Sequence, residues 1–145
     1  MNIKNIMCIT ALTAIAVSCG KQESYLIDQR GVEVTAQENR EYSYTDKKAG
    51  YWYGTTHQEE LQWYSGWNMA KKRVLADYTI SVDGRVLDRS EAECIVYPDR
   101  LVRRWDNTIE TFRMLDNLPI IHIEIKTEEP TSAITLDKTL IADEY

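Results

Sequence analysis

Residues 101–126 decide the fold class, and they read LVRRWDNTIETFRMLDNLPIIHIEIK. The stretch divides into three strand-like runs, at 101–105, 108–115 and 119–126. In the third run Ile121, Ile123 and Ile125 alternate with polar residues, which is the period of a half-buried β-strand. Asp-Asn pairs at 106–107 and 116–117 separate the runs, as short hairpin turns do. The stretch therefore predicts an antiparallel meander with one buried face.

The same period continues towards the N-terminus. Tyr78, Ile80 and Val82 alternate with polar residues, and Asp83-Gly84 matches two-residue turns in which both central residues have positive φ. Further strand candidates span 50–56, 60–65, 73–77, 85–87, 92–97 and 132–141. Their spacing of roughly 8–12 residues is typical of β-sandwiches. We expect an all-β fold, an antiparallel β-sandwich or half-sandwich.

Helix is nearly absent from this pattern. At most 68–75 forms two turns and 89–93 one turn, neither with a convincing cap. The predicted core contains four isoleucines, Ile80, Ile121, Ile123 and Ile125. Because Ile123 lies in the middle of its run, its replacement by Ala is expected to cost about 2–5 kcal/mol if the site is well packed.

The first residues resemble a bacterial lipoprotein signal peptide. Lys4 gives a positive start, Ile6 to Val17 is apolar, and Ala16-Val17-Ser18-Cys19 resembles a lipobox. We expect residues 1–18 to be the signal peptide and Cys19 to be acylated, which anchors the protein to the membrane. An ordinary cleaved signal is the alternative. Residues 19–49 are predicted to be a tether and a loosely ordered arm, and residues 50–145 the antiparallel β domain.

Composition limits the function classes. The 145 residues contain 17 basic and 23 acidic side chains, for a net charge of −6 and 43% hydrophobic residues, which fits one globular domain. No basic run is longer than Lys71-Lys72-Arg73, which argues against nucleic acid as a partner. Gly20 to Glu23 resembles the export signal of Bacteroidetes surface lipoproteins, although a plain tether also fits. We expect an outer-membrane, lipid-anchored protein, which the export-signal interpretation would place on the cell surface.

The three cysteines and two histidines are not arranged for catalysis. After removal of Cys8 and acylation of Cys19, Cys94 is the one remaining thiol, and we expect it to be a small core residue. His57 and His122 are expected to be ordinary polar residues. Glu59 and Glu60 point to opposite faces of a strand, so even with Asp99 they do not form a hydrolytic pair. No cofactor or metal motif occurs in the sequence, and none is expected.

Aromatic residues cluster at Tyr51-Trp52-Tyr53, Trp63-Tyr64 and Trp67. Sugar binding combines flat aromatic side chains with polar groups that bond hydroxyls. Trp52, Trp63 and Trp67, with Gln58 and Asn68, are therefore candidate glycan-binding residues. Alternation places Tyr51 and Tyr53 on one face and Trp52 on the other, so at most half of the cluster can line one site. Filling of the sandwich core by these aromatic residues is the alternative.

Five short runs carry a resemblance to a family. They are YWYGTT at 51–56, WYSGWN at 63–68, VDGRVL at 82–87, VYPDRLVR at 96–103 and FRMLDN at 112–117. The region 50–126 resembles the N-terminal, supersandwich-like β-sandwich of Bacteroidetes surface lipoproteins that continue into a six-hairpin (α/α)-barrel glycoside hydrolase of the debranching-enzyme type. The resemblance implies that the catalytic carboxylates belong to the barrel, which these 145 residues do not contain.

These observations predict a surface lipoprotein β-sandwich module associated with glycan degradation. It would be an accessory or N-terminal domain of a glycoside hydrolase and would not be catalytic by itself. Its expected partners are the membrane, through the lipid anchor, and a glycan or a glycosidase catalytic domain. A carbohydrate- or protein-binding lipoprotein without enzymatic activity, or a truncated gene remnant, are the alternatives.

Overall fold

The computed structural model describes residues 28–58, 63–139 and 143–144, and within them the fold is almost entirely β. The strands are β1 (Val32–Val34), β2 (Glu41–Thr45), β3 (Tyr51–Thr55), β4 (Gly66–Met69), β5 (Lys72–Leu75), β6 (Asp77–Val82), β7 (Arg85–Val86), β8 (Glu93–Val96), β9 (Leu101–Trp105), β10 (Thr108–Met114), β11 (Ile121–Thr127), β12 (Ile134–Thr139) and β13 (Asp143–Glu144). One turn of 3₁₀-helix at Arg89–Glu91 lies between β7 and β8. The all-β prediction is confirmed.

The strands form three antiparallel sheets. One five-stranded sheet has the order β1-β8-β9-β10-β11, and the other has the order β13-β5-β4-β3-β2. A three-stranded sheet, β12-β6-β7, lies beside them. The predicted meander is the centre of the first sheet, where Trp105 pairs with Thr108 and Met114 with Ile121.

The core lies where side chains from all three sheets meet. Phe112 on β10 is fully buried, and its ring contacts Trp52 on β3 and Tyr78 on β6. The other buried members of this cluster are Tyr42, Tyr44, Ile80, Cys94, Leu101 and Met114. Because alternation along each strand sends these residues to one face, the three sheets share a single core rich in aromatic rings.

Two turn positions show how the backbone closes its hairpins. Asp83 and Gly84 have φ of 50° and 81°, as predicted for a turn with two positive φ values. The β4–β5 turn has the same geometry, but its residues are Ala70 and Lys71, with φ of 51° and 64°. Neither residue favours positive φ, so the sequence gives no signal for this hairpin. The prediction of helical turns at 68–75 is therefore wrong.

Three further expectations differ from the structure. Residues 32–34 and 41–45 of the predicted loose arm form β1 and β2, because Tyr42 and Tyr44 fill the core. Within the strand predicted at 60–65, residues 63 and 64 form a turn, and 60–62 lie outside the described residues. The connection between β10 and β11 spans residues 115–120 rather than one Asp-Asn pair. The single helical turn predicted within 89–93 is present as a 3₁₀ turn at Arg89–Glu91, and Asp88 supplies the cap that the sequence analysis did not expect.

The sandwich has two ends, which the strand pairing defines. Turns 46–50, 70–71, 97–100 and 115–120 lie at the proximal end, where the described chain begins with Asp28 beside Arg100. Contacts join these turns: Asn117 N–H donates to the Asp46 carbonyl oxygen at 2.7 Å. Segments 56–58, 88–92 and 106–107 lie at the opposite, distal end. No helix in the described residues has the length and apolarity needed to cross a membrane.

The isoleucines of β11 lie at the edge of their sheet and are less buried than Ile80 in the core. Ile80 is 4% exposed, whereas Ile121, Ile123 and Ile125 are only half-buried, because β11 is an edge strand of its sheet. The Ile123→Ala variant should therefore lose about 1–2 kcal/mol of unfolding free energy, the low end of the range for such truncations or less. Urea denaturation measures this loss. The matched Ile80→Ala variant should lose more, and equal losses would contradict the partial burial of β11.

Candidate functional site

A cavity with several polar side chains at its edge lies at the distal end of the sandwich. Its volume is about 560 Å³, and it opens between the β6–β7 hairpin and the start of β10. Tyr78 and Glu110 form its floor, and Trp105 lies at its wall. Its polar rim consists of Gln58, Asp88, Arg89 and Ser90. We call this cavity the distal pocket.

A buried ion pair supports the floor. Arg103 and Glu110 face each other across the β9–β10 hairpin, and Arg103 Nη1 lies 3.0 Å from Glu110 Oε2. Each side chain is 1% exposed. The pairing follows from sequence, because Arg103 is in phase with Leu101, and Glu110 with Phe112, both of which are fully buried. A charge pair of this kind must be fully hydrogen-bonded to persist in the interior.

The network around this pair satisfies both charges. Arg103 Nε donates to the Thr56 carbonyl oxygen at 2.9 Å, and Nη2 donates to the Thr55 carbonyl oxygen at 3.1 Å. The Tyr78 hydroxyl donates to the second carboxylate oxygen of Glu110. The guanidinium therefore ties the end of β3 to β9, and the carboxylate ties β6 to β10. The floor of the distal pocket is rigid for this reason.

Electrostatics keep Arg103 charged and Tyr78 neutral. Burial alone would lower the pKa of the Arg103 guanidinium, but the charge of Glu110 outweighs this and holds that pKa well above its ordinary value. Burial, with the nearby Glu110 charge, raises the pKa of the Tyr78 hydroxyl well above its ordinary value. Tyr78 thus remains a neutral donor to Glu110 at physiological pH.

A second ion pair fixes the rim. The Arg89 guanidinium donates to both carboxylate oxygens of Asp77, at 2.9 and 2.8 Å, and to the Tyr78 carbonyl oxygen. Its Cζ lies 4.9 Å from the centroid of the Tyr78 ring. Two parallel hydrogen bonds and a cation–π contact hold the Arg89 side chain against the pocket.

His57 closes the inner side of the pocket. Its side chain is 2% exposed, Nε2 lies 3.1 Å from the Ala92 carbonyl oxygen, and Nδ1 lies 2.9 Å from Thr56 Oγ1. A carbonyl can only accept, so Nε2 carries the proton and Nδ1 accepts from the threonine hydroxyl. Burial lowers the pKa of His57, which keeps the imidazole neutral. These bonds hold the His57 ring between Thr56 and Ala92.

Trp105 forms the wall at the distal end of β9. It is half-buried, and its Nε1 donates to the Asp88 carbonyl oxygen at 2.7 Å. The Asp88 carboxylate caps the 3₁₀ turn by accepting from Ser90 N and Oγ, which lowers the pKa of Asp88. Trp105 and Asp88 also line a smaller neighbouring cavity of about 220 Å³. The indole therefore lies between two adjoining cavities.

The arrangement is suited to binding. A fixed aromatic wall beside carboxylate, guanidinium, amide and hydroxyl groups matches a ligand that has apolar faces and hydroxyl edges. Among the described residues, no group of three or more His, Cys, Asp or Glu side chains is placed to hold a metal ion. The distal pocket therefore presents recognition groups on a preformed floor.

The structure divides the predicted glycan-binding residues among three places. Trp52 is 2% exposed in the core, so its prediction as part of a glycan platform is wrong, because a stacking ring must be accessible. Trp67 pairs with Trp52 across β3 and β4 and packs against the same core. Asn68 is buried, and its amide nitrogen donates to the carbonyl oxygens of Tyr64 and Gly66.

Trp63 and Gln58 are the accessible members of the predicted set. Trp63 is 67% exposed and lines an apolar groove of about 570 Å³ on the outer face of β3 and β4, with Tyr51 and Met69. Gln58 is exposed at the distal pocket instead. The predicted alternation of Trp52 against Tyr51 and Tyr53 is confirmed, because only Trp52 is fully buried among them.

The described cysteine, Cys94, behaves as the sequence indicates. Cys94 is a free, buried thiol, and burial raises its pKa to about 11, so it stays protonated. This agrees with its predicted role in the core. Residues 1–18, Cys19, Glu59 and Glu60 lie outside the described residues, so the predictions made for them remain predictions.

Sequence analysis missed the residues that build the distal pocket. The strand pattern predicts no functional role for Trp105, Arg103 or Glu110. A signal existed, because a two-residue turn at 106–107 pairs 105 with 108 and therefore Arg103 with Glu110. Two opposite charges placed opposite each other on the apolar face of a hairpin indicate a buried ion pair.

No protein-family model, curated protein or solved structure matches this chain. The resemblance of residues 50–126 to the sandwich of Bacteroidetes lipoproteins therefore stays a prediction. Function has to be argued from the distal pocket itself.

Proposed function

We propose that this protein is a lipid-anchored surface module that binds a glycan in the distal pocket and acts beside glycan-degrading enzymes without being catalytic itself. The observation that carries the proposal is the Trp105 ring standing beside Gln58, Asp88 and Arg89 on a pocket of about 560 Å³. A sugar residue presents C–H faces that pack on an indole and hydroxyls that pair with such polar groups. The volume lies within the range of small-ligand sites.

The floor of the distal pocket is preformed, which favours ligand binding. Hydrogen bonds fix Arg103 and Glu110 before a ligand arrives, so that binding would cost little conformational entropy at the floor. The accessible polar groups at the rim include both signs of charge and an amide, which suits neutral hydroxylated ligands better than an ionic one. The lipobox-like sequence at Cys19 supports a membrane anchor, and the run Gly20 to Glu23, which resembles an export signal, supports a place on the cell surface, where glycans are met.

A Trp105→Ala variant tests the proposal. Removing the ring should weaken oligosaccharide affinity about 5- to 150-fold, corresponding to about 1–3 kcal/mol for one large apolar contact. Isothermal titration calorimetry measures affinity for oligosaccharides of glucose, mannose, galactose and N-acetylglucosamine. Gln58→Ala, at an exposed rim position, should weaken the same ligand without lowering the unfolding free energy.

The control variant is Trp63→Ala, which removes an equally large ring that lines the apolar groove and does not line the distal pocket. Its affinity should equal that of the parent protein. Failure of the parent to bind any of these sugars at millimolar concentration would contradict the proposal. Equal losses for Trp63→Ala and Trp105→Ala would move the site away from the distal pocket.

A supporting role beside a catalytic domain is the second candidate. Ile134 and Leu136 on β12 pair with Val82 and Ile80 and so lie on the core-facing side of their sheet, yet they are 46% and 43% exposed. Apolar side chains in that position fit a second domain packed against β12. This role is compatible with glycan binding at the distal end.

A further inference from the structure

An apolar groove that reaches the proximal turns of the sandwich contains the most exposed large apolar side chain of the described residues. Trp63 is 67% exposed in the apolar groove, whose floor includes Tyr51 and Met69. Leu118 and Ile120 in the neighbouring 115–120 turn are 48% and 44% exposed. Ala49 and the hydrogen bond from Asn117 to Asp46 connect the groove with that turn. These residues form an exposed apolar surface, which is unfavourable in water and is typical of an interaction site.

Lysines surround the same surface. Lys47 and Lys48 lie in the β2–β3 turn, and Lys71 and Lys72 lie in and beside the β4–β5 turn. All are exposed, and they are four of the six lysines in the described residues. The protein as a whole has a net charge of −6, so this cluster of lysines is a feature of the proximal end alone.

The acidic groups nearby pair with some of these lysines, but among the described residues neither Lys48 nor Lys71 forms an ion pair. Asp116 pairs with Lys47, and the Asp46 carboxylate is buried, where it accepts from the backbone N–H groups of Lys48 and Gly50. Asp28 and Asp99 flank Arg100 at the turn of the other sheet. On the other side, Glu144 of β13 pairs in register with Lys72.

The path of the chain brings this end to the membrane. Asp28, at the proximal end, follows Cys19 by nine positions, and nine residues reach at most about 30 Å when fully extended. An acyl group at Cys19 therefore keeps the proximal end within this distance of the bilayer. A Trp ring among lysines is the combination that membrane interfaces favour, since indole sits at headgroup level and lysine attracts anionic lipid.

We propose that the proximal end docks on an anionic lipid surface, with Trp63 inserted at the interface and Lys48 and Lys71 against headgroups. This inference rests on the proposed anchor at Cys19. Docking in this orientation turns the distal pocket away from the bilayer, towards soluble ligand. The membrane is thus a binding partner of the folded domain as well as of its acyl chains.

Fluorescence quenching by brominated lipids tests the docking. The processed protein is reconstituted in phosphatidylcholine–phosphatidylglycerol vesicles with brominated acyl chains, and the Trp63→Phe variant isolates the emission of Trp63. Bromine near the interface should quench that emission. Lys48→Gln and Lys71→Gln should each lower the ratio of docked to undocked protein about five-fold, because each lysine near an anionic surface strengthens attraction.

The control is Lys126→Gln on β11, an exposed lysine at the far end of its strand, which should leave quenching unchanged. Unquenched Trp63 emission in anionic vesicles would overturn the docking. The mass of the processed chain reports acylation separately, and sugar titration reports the distal pocket. If the mass shows no acyl chain, the anchor is overturned, and quenching of the unacylated chain at raised lipid concentration still decides the docking.

Discussion

Replacement of Arg103 by Met should lower the free energy of unfolding by about 3–5 kcal/mol, because it leaves the carboxylate of Glu110 buried without its counter-ion. Glu110 is 1% exposed, so the charge cannot reach water without opening the core. The Thr55 and Thr56 carbonyl oxygens also lose their donor. Since small domains are stable by only about 5–15 kcal/mol, this variant should be near the limit of folding.

Urea denaturation of two controls separates charge from size. Arg104→Met changes the next residue of β9, which is exposed, and should alter the unfolding free energy by less than about 0.5 kcal/mol. The double variant Arg103→Met, Glu110→Leu removes both charges and should regain much of the loss. Equal stability of Arg103→Met and Arg104→Met would contradict the buried pair, as would a double variant less stable than Arg103→Met.

The hairpins of this fold were predictable from sequence where local signals specify them. Alternation and the turns at 83–84 and 106–107 are local signals, and they predicted the meander of β9, β10 and β11 and the β6–β7 hairpin. The Ala70-Lys71 turn escaped prediction because its positive φ values are imposed by pairing of Met69 with Lys72. Tertiary contacts outweigh the weak preference of those two residues.

The distal pocket was less predictable than the sheets. Its walls come from segments far apart in sequence: His57 bonds to Ala92, and Trp105 to Asp88. Such contacts depend on how the three sheets pack, which a residue period cannot specify. The aromatic cluster at 51–67 gives the stronger sequence signal for a binding site, because strand-forming tryptophans have the same sequence pattern whether they face the core or solvent.

Replacement of Trp52 and of Trp63 by Ala distinguishes a tryptophan that faces the core from one that faces solvent. The Trp52→Ala variant should lose about 3–5 kcal/mol of unfolding free energy, because it removes a buried indole and leaves a cavity. The Trp52 ring centroid lies 5.0 Å from that of Phe112 and 5.6 Å from that of Tyr78, and its Nε1 donates to the Tyr42 hydroxyl at 3.1 Å. The melting temperature should fall by roughly 10–20 °C.

Trp63→Ala is the matched control, since it deletes the same side chain from a position that is 67% exposed. Its contact with the Tyr64 ring lies on the outer face of the sheet, so the unfolding free energy should change by less than about 0.5 kcal/mol. Calorimetric melting of the two variants compares them directly. A large loss of unfolding free energy for Trp63→Ala would mean that this ring packs against the protein and does not belong to the proposed lipid interface. A small loss for Trp52→Ala would mean that the aromatic core is not centred on β3.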